Sequence, residues 1–310
     1  MTRTLKSALL GVSALAFAGA TAFAADDAPK TLAEATEGPS NVAIWKTGDE
    51  DTTVYMMGTI HILHPDLDWE TDAFEAAWAE ANAVFFEANV TSPEEVQAAS
   101  PLIMSEGFYT DGRKFADLFT ADQLEELNEA LKEYGLTAEA LGNMRPWFAS
   151  IQLTQLAMAK AGGDPAAGIE MLLGARASEE GKTQRYFEGL AEQIQIIADV
   201  PDEVWAKSLI EGVDELSDVE GYFAEMVGLW YDGDADGLAE FMSDGWEETP
   251  ELASKLLYER NEKWAVKIDR LIEEEEGTFL VAVGAGHLAG AKSVQDYLTQ
   301  HGHESVRVNP

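Results

Sequence analysis

The sequence of 310 residues contains no cysteine. This absence excludes disulfide bonds, a thiolate nucleophile, iron–sulfur clusters and cysteine-ligated zinc. Covalent catalysis would therefore have to use a Ser, Thr, Lys or carboxylate side chain. A metal ion would have to bind to Asp, Glu or His, and the chain has only five His residues, at positions 61, 64, 287, 301 and 303. Few combinations of residues can thus form a metal site.

Basic residues are also scarce, with 20 Lys and Arg against 57 Asp and Glu and a formal net charge of −37. Binding to nucleic acids depends largely on cationic side chains that displace counterions from the phosphates. We therefore expect no nucleic-acid partner. A cationic or neutral substrate, or a saline habitat in which acidic surfaces stay soluble, agrees better with this charge.

Long hydrophobic runs are missing except at the N-terminus. Arg3 and Lys6 precede an apolar stretch over about residues 8–20, and Ala22-Phe23-Ala24 has small residues at both positions of a cleavage motif. This pattern predicts a signal peptide over residues 1–24. A retained anchor is the alternative, but the stretch is short and rich in Ala for spanning ~30 Å of hydrocarbon. We expect an exported, periplasmic protein with no stable membrane insertion after cleavage.

Several motifs of well-known enzyme classes are absent as well. The sequence contains no G-x-S-x-G nucleophile motif, no P-loop, no dinucleotide-binding fingerprint and no H-E-x-x-H zinc motif. These absences leave metal-assisted chemistry or purely acid–base chemistry as the candidate mechanisms.

Residues 41–310 predict a single α/β domain. Two short β-leaning runs, 41–46 and 53–57, flank a polar turn and predict a hairpin. A helix over 71–82 and a strand over 83–86 follow, and strand, helix and strand in this order are typical of a parallel sheet. We therefore expect a mostly parallel sheet that is flanked by helices.

The predicted helices are concentrated between two strands of this sheet. From about residue 93 to 183 the pattern is helical, with a capping box that starts at Thr120. A strand over 184–187 follows this large helical insertion. A later apolar run, 278–283, is typical of a strand buried on both faces. Residues 25–40, in front of the domain, are polar and predict a flexible N-terminal lead.

Two Gly-x-x-His segments, Gly58–His61 and Gly284–His287, each follow a predicted strand directly. Glycine allows the chain to turn sharply as it leaves a buried strand, so each His would project from a rigid strand end. Imidazole and carboxylate groups are suitable ligands for zinc, manganese or cobalt. A single Gly-x-x-His occurs by chance in many chains, but two at matched positions predict that both His residues lie in a site.

An aromatic-aromatic-Glu pattern also occurs twice, as Phe85-Phe86-Glu87 and as Tyr186-Phe187-Glu188. Each glutamate ends a predicted strand, and ligands of open parallel sheets bind outside the carboxyl ends of the strands. A lone glutamate at a strand end is more often simply solvated. Together with the two Gly-x-x-His segments, however, the pattern predicts that two glutamates and two histidines converge on one site.

Four other residues have both a structural and a functional interpretation. His64 is a further candidate metal ligand, although its neighbours also suit it to a turn. Arg145 opens a helix and either pairs with a neighbouring acid or holds the substrate or a developing oxyanion. Arg260 and the adjacent Asn261 lie on a long helix near the C-terminus and have the same two interpretations.

Taken together, the motifs resemble the TraB/GumN family, in the family's order, from about residue 41 to the C-terminus. The resemblance is carried by Tyr55–His64, Phe86-Glu87, Arg145–Trp147, Tyr186–Glu188 with Gln193, Trp230–Asp234, Glu259–Asn261 with Trp264, and Val283–Leu288 with Gly290. It implies an α/β fold related to the erythromycin-esterase-like and ChaN-like proteins.

The animal Tiki proteases belong to the same broader group, and for that branch the resemblance implies a metal-dependent peptidase. It places His61, Glu87 and His287 at the metal. The residues that shape the surrounding loops would be Gly58, Gly284 and Gly286. Glu188 matches a Leu-Glu position of the family, although Phe187 replaces the usual Leu. The related ChaN-like group binds haem, so the resemblance also allows a binding role.

These observations lead to one main hypothesis and two alternatives. The main hypothesis is a metal-dependent hydrolase, a peptidase, in which His61, His287 and Glu87 hold Mn, Co or Zn. Glu188 would be the general base and Arg145 would hold the oxyanion or a substrate carboxylate. One alternative is a non-catalytic periplasmic protein that binds haem, a metal or a peptide. The other is a metal-independent esterase, acting on a small molecule, in which His61 is the base.

Overall fold

The computed structural model describes residues 31–244 and 249–308. The predicted signal peptide and the first residues of the predicted N-terminal lead lie outside the described residues. None of the helices in the described part of the chain has both the length and the hydrophobicity needed to cross a membrane.

A single six-stranded sheet forms the centre of the described chain. Its strands are β1 (Ile44–Gly48), β2 (Thr52–Thr59), β3 (Ala83–Ala88), β4 (Thr183–Glu188), β5 (Gly277–Gly284) and β6 (Val306–Arg307). Their order across the sheet is β4-β3-β5-β2-β1-β6. The four strands β4, β3, β5 and β2 are parallel, whereas β1 pairs antiparallel with β2 and with β6. The predicted α/β fold with a mostly parallel sheet is confirmed.

Many helices surround this sheet. Before β3 lie α1 (Leu32–Ala35) and α2 (Asp72–Glu80). Between β3 and β4 lie α3 (Pro93–Glu106), α4 (Ala121–Leu131), α5 (Pro146–Lys160) and α6 (Ile169–Glu180). Between β4 and β5 lie α7 (Leu190–Ala198), α8 (Asp202–Glu211), α9 (Val213–Ser217), α10 (Val219–Tyr231), α11 (Ala235–Asp244), α12 (Pro250–Ala253) and α13 (Glu259–Glu274), and α14 (Val294–Gln300) follows β5.

The hydrophobic pattern of the strands explains why both faces of the sheet are covered. In β2, Val54 and Met56 pack in one hydrophobic cluster with Trp264 of α13, while the alternating residues Tyr55 and Met57 pack in another. This alternation follows from the two-residue period of a strand. In β5, residues 280–283 are fully buried, as expected for a central parallel strand.

Residues 31–40 differ from the flexible lead that the composition predicts. The Thr31 side chain accepts a hydrogen bond from the Glu34 N–H and caps the short helix α1. Ala35 packs closely against α10 at Gly228, where a Cβ atom would lie 3.0 Å from the Ala35 Cβ. A glycine on the partner helix thus makes room for this segment, which local composition does not reveal.

The two Gly-x-x-His segments touch each other at the ends of β2 and β5. Gly58 lies so close to Ala285 that a Cβ atom on Gly58 would be 2.8 Å from the Ala285 Cα. On its other side, the Gly58 carbonyl accepts a 2.8 Å hydrogen bond from the indole N–H of Trp230. The backbone of Gly58 is therefore fixed on both sides, and its lack of a side chain sets the distance between the two loops.

We expect Gly58→Ala to destabilise the protein, because the new methyl group meets backbone atoms that have little freedom to move. The expected cost is about 1–3 kcal/mol in the free energy of unfolding, as for overpacking in general. Urea denaturation followed by circular dichroism measures it. The matched control is Gly174→Ala in α6, where the new Cβ atom has ordinary contacts and a helical alanine is favourable. Equal stability of the two variants would contradict this account of Gly58.

Candidate functional site

The structure brings both candidate histidines and both candidate glutamates to the carboxyl end of the sheet. His61 follows β2 by two residues, and His287 lies in a short turn that follows β5. Glu87 is the penultimate residue of β3 and Glu188 is the last residue of β4, and they are 4% and 6% exposed. Parallel strands direct these ends to the same edge of the sheet, so residues more than 200 positions apart become neighbours.

Arg260 of α13 connects the two glutamates. Its Nε donates a 2.9 Å hydrogen bond to Glu188 Oε1, and its Nη2 donates to Glu87 Oε2 at 2.6 Å and to Glu188 Oε2 at 2.9 Å. Its Nη1 donates to the Leu256 carbonyl at 2.9 Å and lies 3.2 Å from His287 Nε2. A guanidinium has five N–H groups, and all five have partners here. Arg260 thus shares one positive charge between two buried carboxylates.

A π-helical turn precedes Arg260 in the sequence. Residues Ser254–Tyr258 form this turn between α12 and α13, and the Glu259 N–H donates to the Ser254 carbonyl five residues back. The turn changes the helical rotation at the point where Leu256 and Arg260 face the site. Such turns occur frequently at functional sites, because they redirect side chains without ending the helix.

Glu87 is held as an ionised acceptor. Its Oε1 accepts a 2.8 Å hydrogen bond from the Gly284 N–H, and its Oε2 accepts from Gln193 Nε2 at 2.9 Å in addition to Arg260. Burial alone would raise the pKa of Glu87. The positive charge of Arg260, with a contribution from His61, outweighs burial and lowers the pKa to about 2.

His287 is held in one orientation by Asn261. The Asn261 Nδ2 donates to the Lys292 carbonyl at 2.8 Å, so its Oδ1 faces the His287 Nδ1 at 2.5 Å. His287 therefore carries its proton on Nδ1 and leaves the lone pair of Nε2 facing the Arg260 Nη1, 3.2 Å away. Burial lowers the pKa of His287 to about 3, so its imidazole is neutral. Lys292 adopts a left-handed backbone conformation, with φ of 61°, at the position that presents this carbonyl.

His61 is held by Glu170, a residue of α6 that the sequence patterns do not single out. The His61 Nδ1 lies 2.6 Å from Glu170 Oε1, which also accepts a hydrogen bond from the Thr59 hydroxyl. Burial opposes the charged imidazole, but the negative charges of Glu170 and Glu87 outweigh it and raise the pKa of His61. The nearest sequence signal is Gly168 before α6, where a Cβ atom would lie 2.1 Å from the His61 carbonyl oxygen.

The donor groups around Gly284 fit a divalent metal by their chemistry. His61 Nε2 and Glu87 Oε1 lie 3.3 and 3.0 Å from the position that a Cβ atom on Gly284 would occupy, and His287 Cδ2 lies 3.6 Å from it. Two imidazoles and one carboxylate suit zinc, manganese or cobalt. Each imidazole is also oriented from behind by an oxygen atom, as is usual for metal-binding histidines.

The same side chains are not arranged as a closed metal site. Within residues 31–244 and 249–308, no group of three or more His, Asp or Glu side chains is placed to hold a metal ion. Arg260 gives a physical reason, because its Nη1 faces the lone pair of His287 Nε2. Metal binding by His287 would require this contact to be released.

A cavity of about 100 Å³ opens beside the cluster. His61, Glu87, Arg260 and His287 line one end of it, and the other walls are mostly Ile, Leu and Met side chains. Gly286 shapes one wall, because a Cβ atom there would lie 2.5 Å from the Met242 Cε. The polar cluster can therefore act on a group that enters this cavity.

Glu188 does not face this cavity, contrary to the role of general base that we expected. Its Oε1 accepts hydrogen bonds from Arg260 Nε and from the indole N–H of Trp264 at 3.0 Å, and its Oε2 is also bound to Arg260. Burial raises the pKa of Glu188, although Arg260 opposes this effect. Both carboxylate oxygens are thus used to position Arg260, and neither is free to accept a proton from a substrate or water.

Arg145 lies outside the cluster, so the structure does not support the expected role in holding an oxyanion or a substrate carboxylate. Its Nε donates to Asp202 at 2.9 Å, its Nη1 donates to Glu106 at 2.9 Å, and Tyr109 donates to the same Asp202 at 2.6 Å. Arg145 therefore links the start of α5 with the end of α3 and the start of α8. The alternative interpretation, pairing with neighbouring acids, is the one that the structure supports.

His64 also lies outside the cluster. Its side chain is 40% exposed, and its Nδ1 accepts a hydrogen bond from the Asp66 N–H at 3.2 Å. His64 thus takes part in a turn, which is the structural interpretation of this residue.

We expect Arg145→Met to lower stability, because it removes the closer of the two guanidinium partners of the largely buried Asp202, at 2.9 Å, and leaves only the longer ion pair with Arg113, at 3.8 Å. A cost of about 1–3 kcal/mol in the free energy of unfolding is typical of such a loss. Urea denaturation measures it, with Arg113→Met as the control. The Arg113 side chain is 57% exposed, so its removal should change stability by less than about 0.5 kcal/mol. An unchanged urea midpoint for Arg145→Met would contradict the structural role.

We expect Asn261→Leu to change the tautomer of His287 in the metal-free protein. The variant removes the oxygen that accepts the Nδ1 proton, so a fraction of the imidazole should carry its proton on Nε2, where Glu87 Oε1 lies 3.5 Å away. Two-dimensional NMR of ¹⁵N-labelled imidazoles reports the tautomer, and the signals of His301 and His303 serve as internal controls. A His287 that keeps its proton on Nδ1 in the variant would show that Asn261 does not determine the tautomer.

Comparison with known proteins agrees with this architecture. The family model of the TraB/PrgY/gumN family matches residues 43–307. The chain is also 21% identical over 306 residues to the metalloprotease TIKI2 of Danio rerio, and this match covers 83% of the chain. This chain spans 58% of the length of that relative. No solved structure matches the chain significantly. The chain belongs to the TraB/PrgY/gumN family.

Proposed function

We propose that this protein is a metal-dependent hydrolase that acts on peptides. One similar protein carries the name metalloprotease, and the family match extends over the whole sheet and both Gly-x-x-His segments. The observation that carries the proposal is the arrangement around Gly284, where two imidazoles and a buried carboxylate surround one point at the end of an apolar cavity.

In this proposal His61 Nε2, His287 Nε2 and Glu87 hold a divalent ion such as Mn²⁺, Co²⁺ or Zn²⁺. When bound, the ion would polarise a substrate carbonyl and lower the pKa of a coordinated water. The net negative charge of the buried Arg260, Glu87 and Glu188 group supports this assignment, because the two carboxylates share only one guanidinium. Buried charges are costly unless they are balanced, and a cation at this end of the cavity would balance them.

The residues around the ligands have positioning roles. Glu170 and Asn261 hold the Nδ1 atoms of the two histidines, so that both Nε2 atoms face the cavity. The Gly284 N–H and Gln193 hold the carboxylate of Glu87. Arg260, held by Glu188, keeps Glu87 ionised. The reacting carbonyl would meet preorganised groups, which lowers the cost of reorganisation during the reaction.

A second candidate is a hydrolase that needs no metal. Two observations favour it: the contact of Arg260 Nη1 with His287 Nε2, and the pairing of His61 with Glu170. In this mechanism the Nε2 of His61 would transfer a proton at the cavity, while Glu170 would stabilise the charged imidazole. Activity would then be independent of chelators.

We also propose that the protein is exported and acts in the periplasm. The basis is the sequence of residues 1–24, with its basic start, apolar run and Ala-x-Ala motif. The expectation of a substrate that is not nucleic acid rests likewise on the net charge of −37.

The test of the metal-dependent hydrolase is metal binding and peptide cleavage by His61→Ala and His287→Ala. Loss of a residue that only hydrogen-bonds a metal ligand lowers metal affinity by roughly 10–100-fold. Loss of a ligand itself, as in each of these variants, should lower the affinity by more than that. Each should also lose cleavage of a peptide library measured by mass spectrometry with added Mn²⁺, Co²⁺ or Zn²⁺. The matched control is His64→Ala, which removes an imidazole outside the cavity and should retain both properties.

Three outcomes separate the candidates. Stoichiometric metal that both variants lose, together with cleavage that a chelator abolishes, supports the metal-dependent enzyme. Cleavage that continues in chelator but is lost in His61→Ala supports the metal-independent enzyme and contradicts the metal-dependent one. Full activity of His61→Ala contradicts both candidates, whereas full activity of His287→Ala contradicts only the metal-dependent one. Circular dichroism of each variant establishes that it is folded.

A further inference from the structure

The cavity beside the cluster has two chemically distinct parts. The charged and titratable side chains that line it, His61, Glu87, Arg260 and His287, are all at one end. Most of the remaining wall is formed by apolar side chains from four helical segments, chiefly Met158, Met226, Leu238, Met242, Leu256 and Leu257. A group bound against this wall would exchange water for apolar contacts, and a charged group there would have no partner.

The volume of the cavity limits the size of its occupant. At about 100 Å³ it is smaller than an apolar cavity of ~150 Å³ that binds one benzene molecule in another protein. It is also well below the ~300–1,000 Å³ of sites for drug-sized ligands. The space therefore suits one alkyl group of a few carbon atoms.

The wall itself is adaptable at one position. Gly286 lies against Met242, and a Cβ atom on Gly286 would be 2.5 Å from the Met242 Cε and 2.9 Å from its Sδ. The methionine thus fills the space that a side chain at position 286 would occupy. Methionine is unbranched and flexible, so Met242 can shift to fit alkyl groups of somewhat different shape.

We propose that this cavity is a specificity site that takes one uncharged alkyl group, of about the size of a Leu or Met side chain, next to the bond to be cleaved. Met242, placed by Gly286, sets the depth of the site. The position of the alkyl group relative to a scissile bond rests on the proposed hydrolase function, but the binding of the group does not. The same chemistry is found in the side chain of a peptide and in the chain of a short acyl compound.

The experiment uses the methionine methyl groups as reporters. The chain has nine Met residues, and three of them, Met158, Met226 and Met242, line the cavity. We would label the ε-methyl groups with ¹³C, assign the signals with single Met→Leu variants, and titrate the protein with N-acetyl-L-leucine amide. Met56 in the sheet and Met104, which is 58% exposed, are internal controls.

We expect saturable shifts of the three cavity signals and none of the control signals. The leucine compound should bind roughly tenfold or more tightly than N-acetylglycine amide, because the cavity buries its side chain. N-acetyl-L-glutamate amide and N-acetyl-L-lysine amide should not shift these signals. Hexanamide represents a short acyl compound. Tighter binding of the leucine compound identifies a peptide side chain as the source of the alkyl group, and tighter binding of hexanamide identifies an acyl chain. Unshifted cavity signals, or equal shifts with the charged compounds, would overturn the proposal.

A pair of variants tests the role of Met242. Met242→Ala enlarges the cavity, so the affinity for N-acetyl-L-phenylalanine amide relative to the leucine compound should rise severalfold. Met242→Leu keeps a side chain of similar volume and should leave this ratio nearly unchanged. An identical ratio in both variants would contradict the assignment of Met242 as the residue that sets the depth.

The alkyl-site proposal and the hydrolase proposal can fail independently of each other. If the cavity signals shift as expected while no peptide is cleaved with any metal or without one, the alkyl site stands and the hydrolase proposal fails. If peptides are cleaved without preference for an apolar residue and the cavity signals do not respond, the alkyl site fails and the hydrolase proposal stands.

Discussion

The ion pairs of Arg260 with Glu87 and Glu188 are the interaction on which the whole site depends. All three side chains are almost completely buried, and their charges are tolerable only because they meet each other. Loss of one partner from such a buried group costs about 3–5 kcal/mol, because an uncompensated charge remains. The contacts also tie helix α13 to strands β3 and β4, so the cluster fixes the position of the helix that carries Asn261 and Trp264.

The site consists of a polar region, which holds the charged and titratable groups, and an apolar region, which surrounds the cavity. The strands place His61, Glu87 and His287 at the edge of the sheet, and partners behind them, Glu170 and Asn261, fix the direction of each imidazole. The methionine and leucine side chains of the surrounding helices line the space in front. Electrostatic interactions are stronger in such apolar surroundings than in bulk water, which favours preorganised catalysis.

Local sequence patterns predicted much of the fold correctly. The hairpin, the helix α2, the apolar strand β5 and the capping box at Thr120 all occur where their patterns indicate them. These features depend on neighbouring residues, so the sequence contains the necessary information. Two features were missed, the packed segment at residues 31–40 and the π-helical turn before Arg260. The first depends on a contact with a distant element at Gly228, and the second precedes Arg260, whose carboxylate partners are distant in the sequence.

The sequence by itself determined the mostly parallel sheet and the four polar side chains at its strand ends, because a strand end and its glycine are local features. Only the tertiary structure decided which arginine belongs to the cluster. From the sequence, Arg145 and Arg260 had the same two interpretations, but their acidic partners lie 39–57 and 72–173 positions away. Glu170 became a partner of His61 in the same way, through the folding of a helix 109 residues further along the chain. Ion pairs between distant residues follow from topology, and no local pattern specifies them.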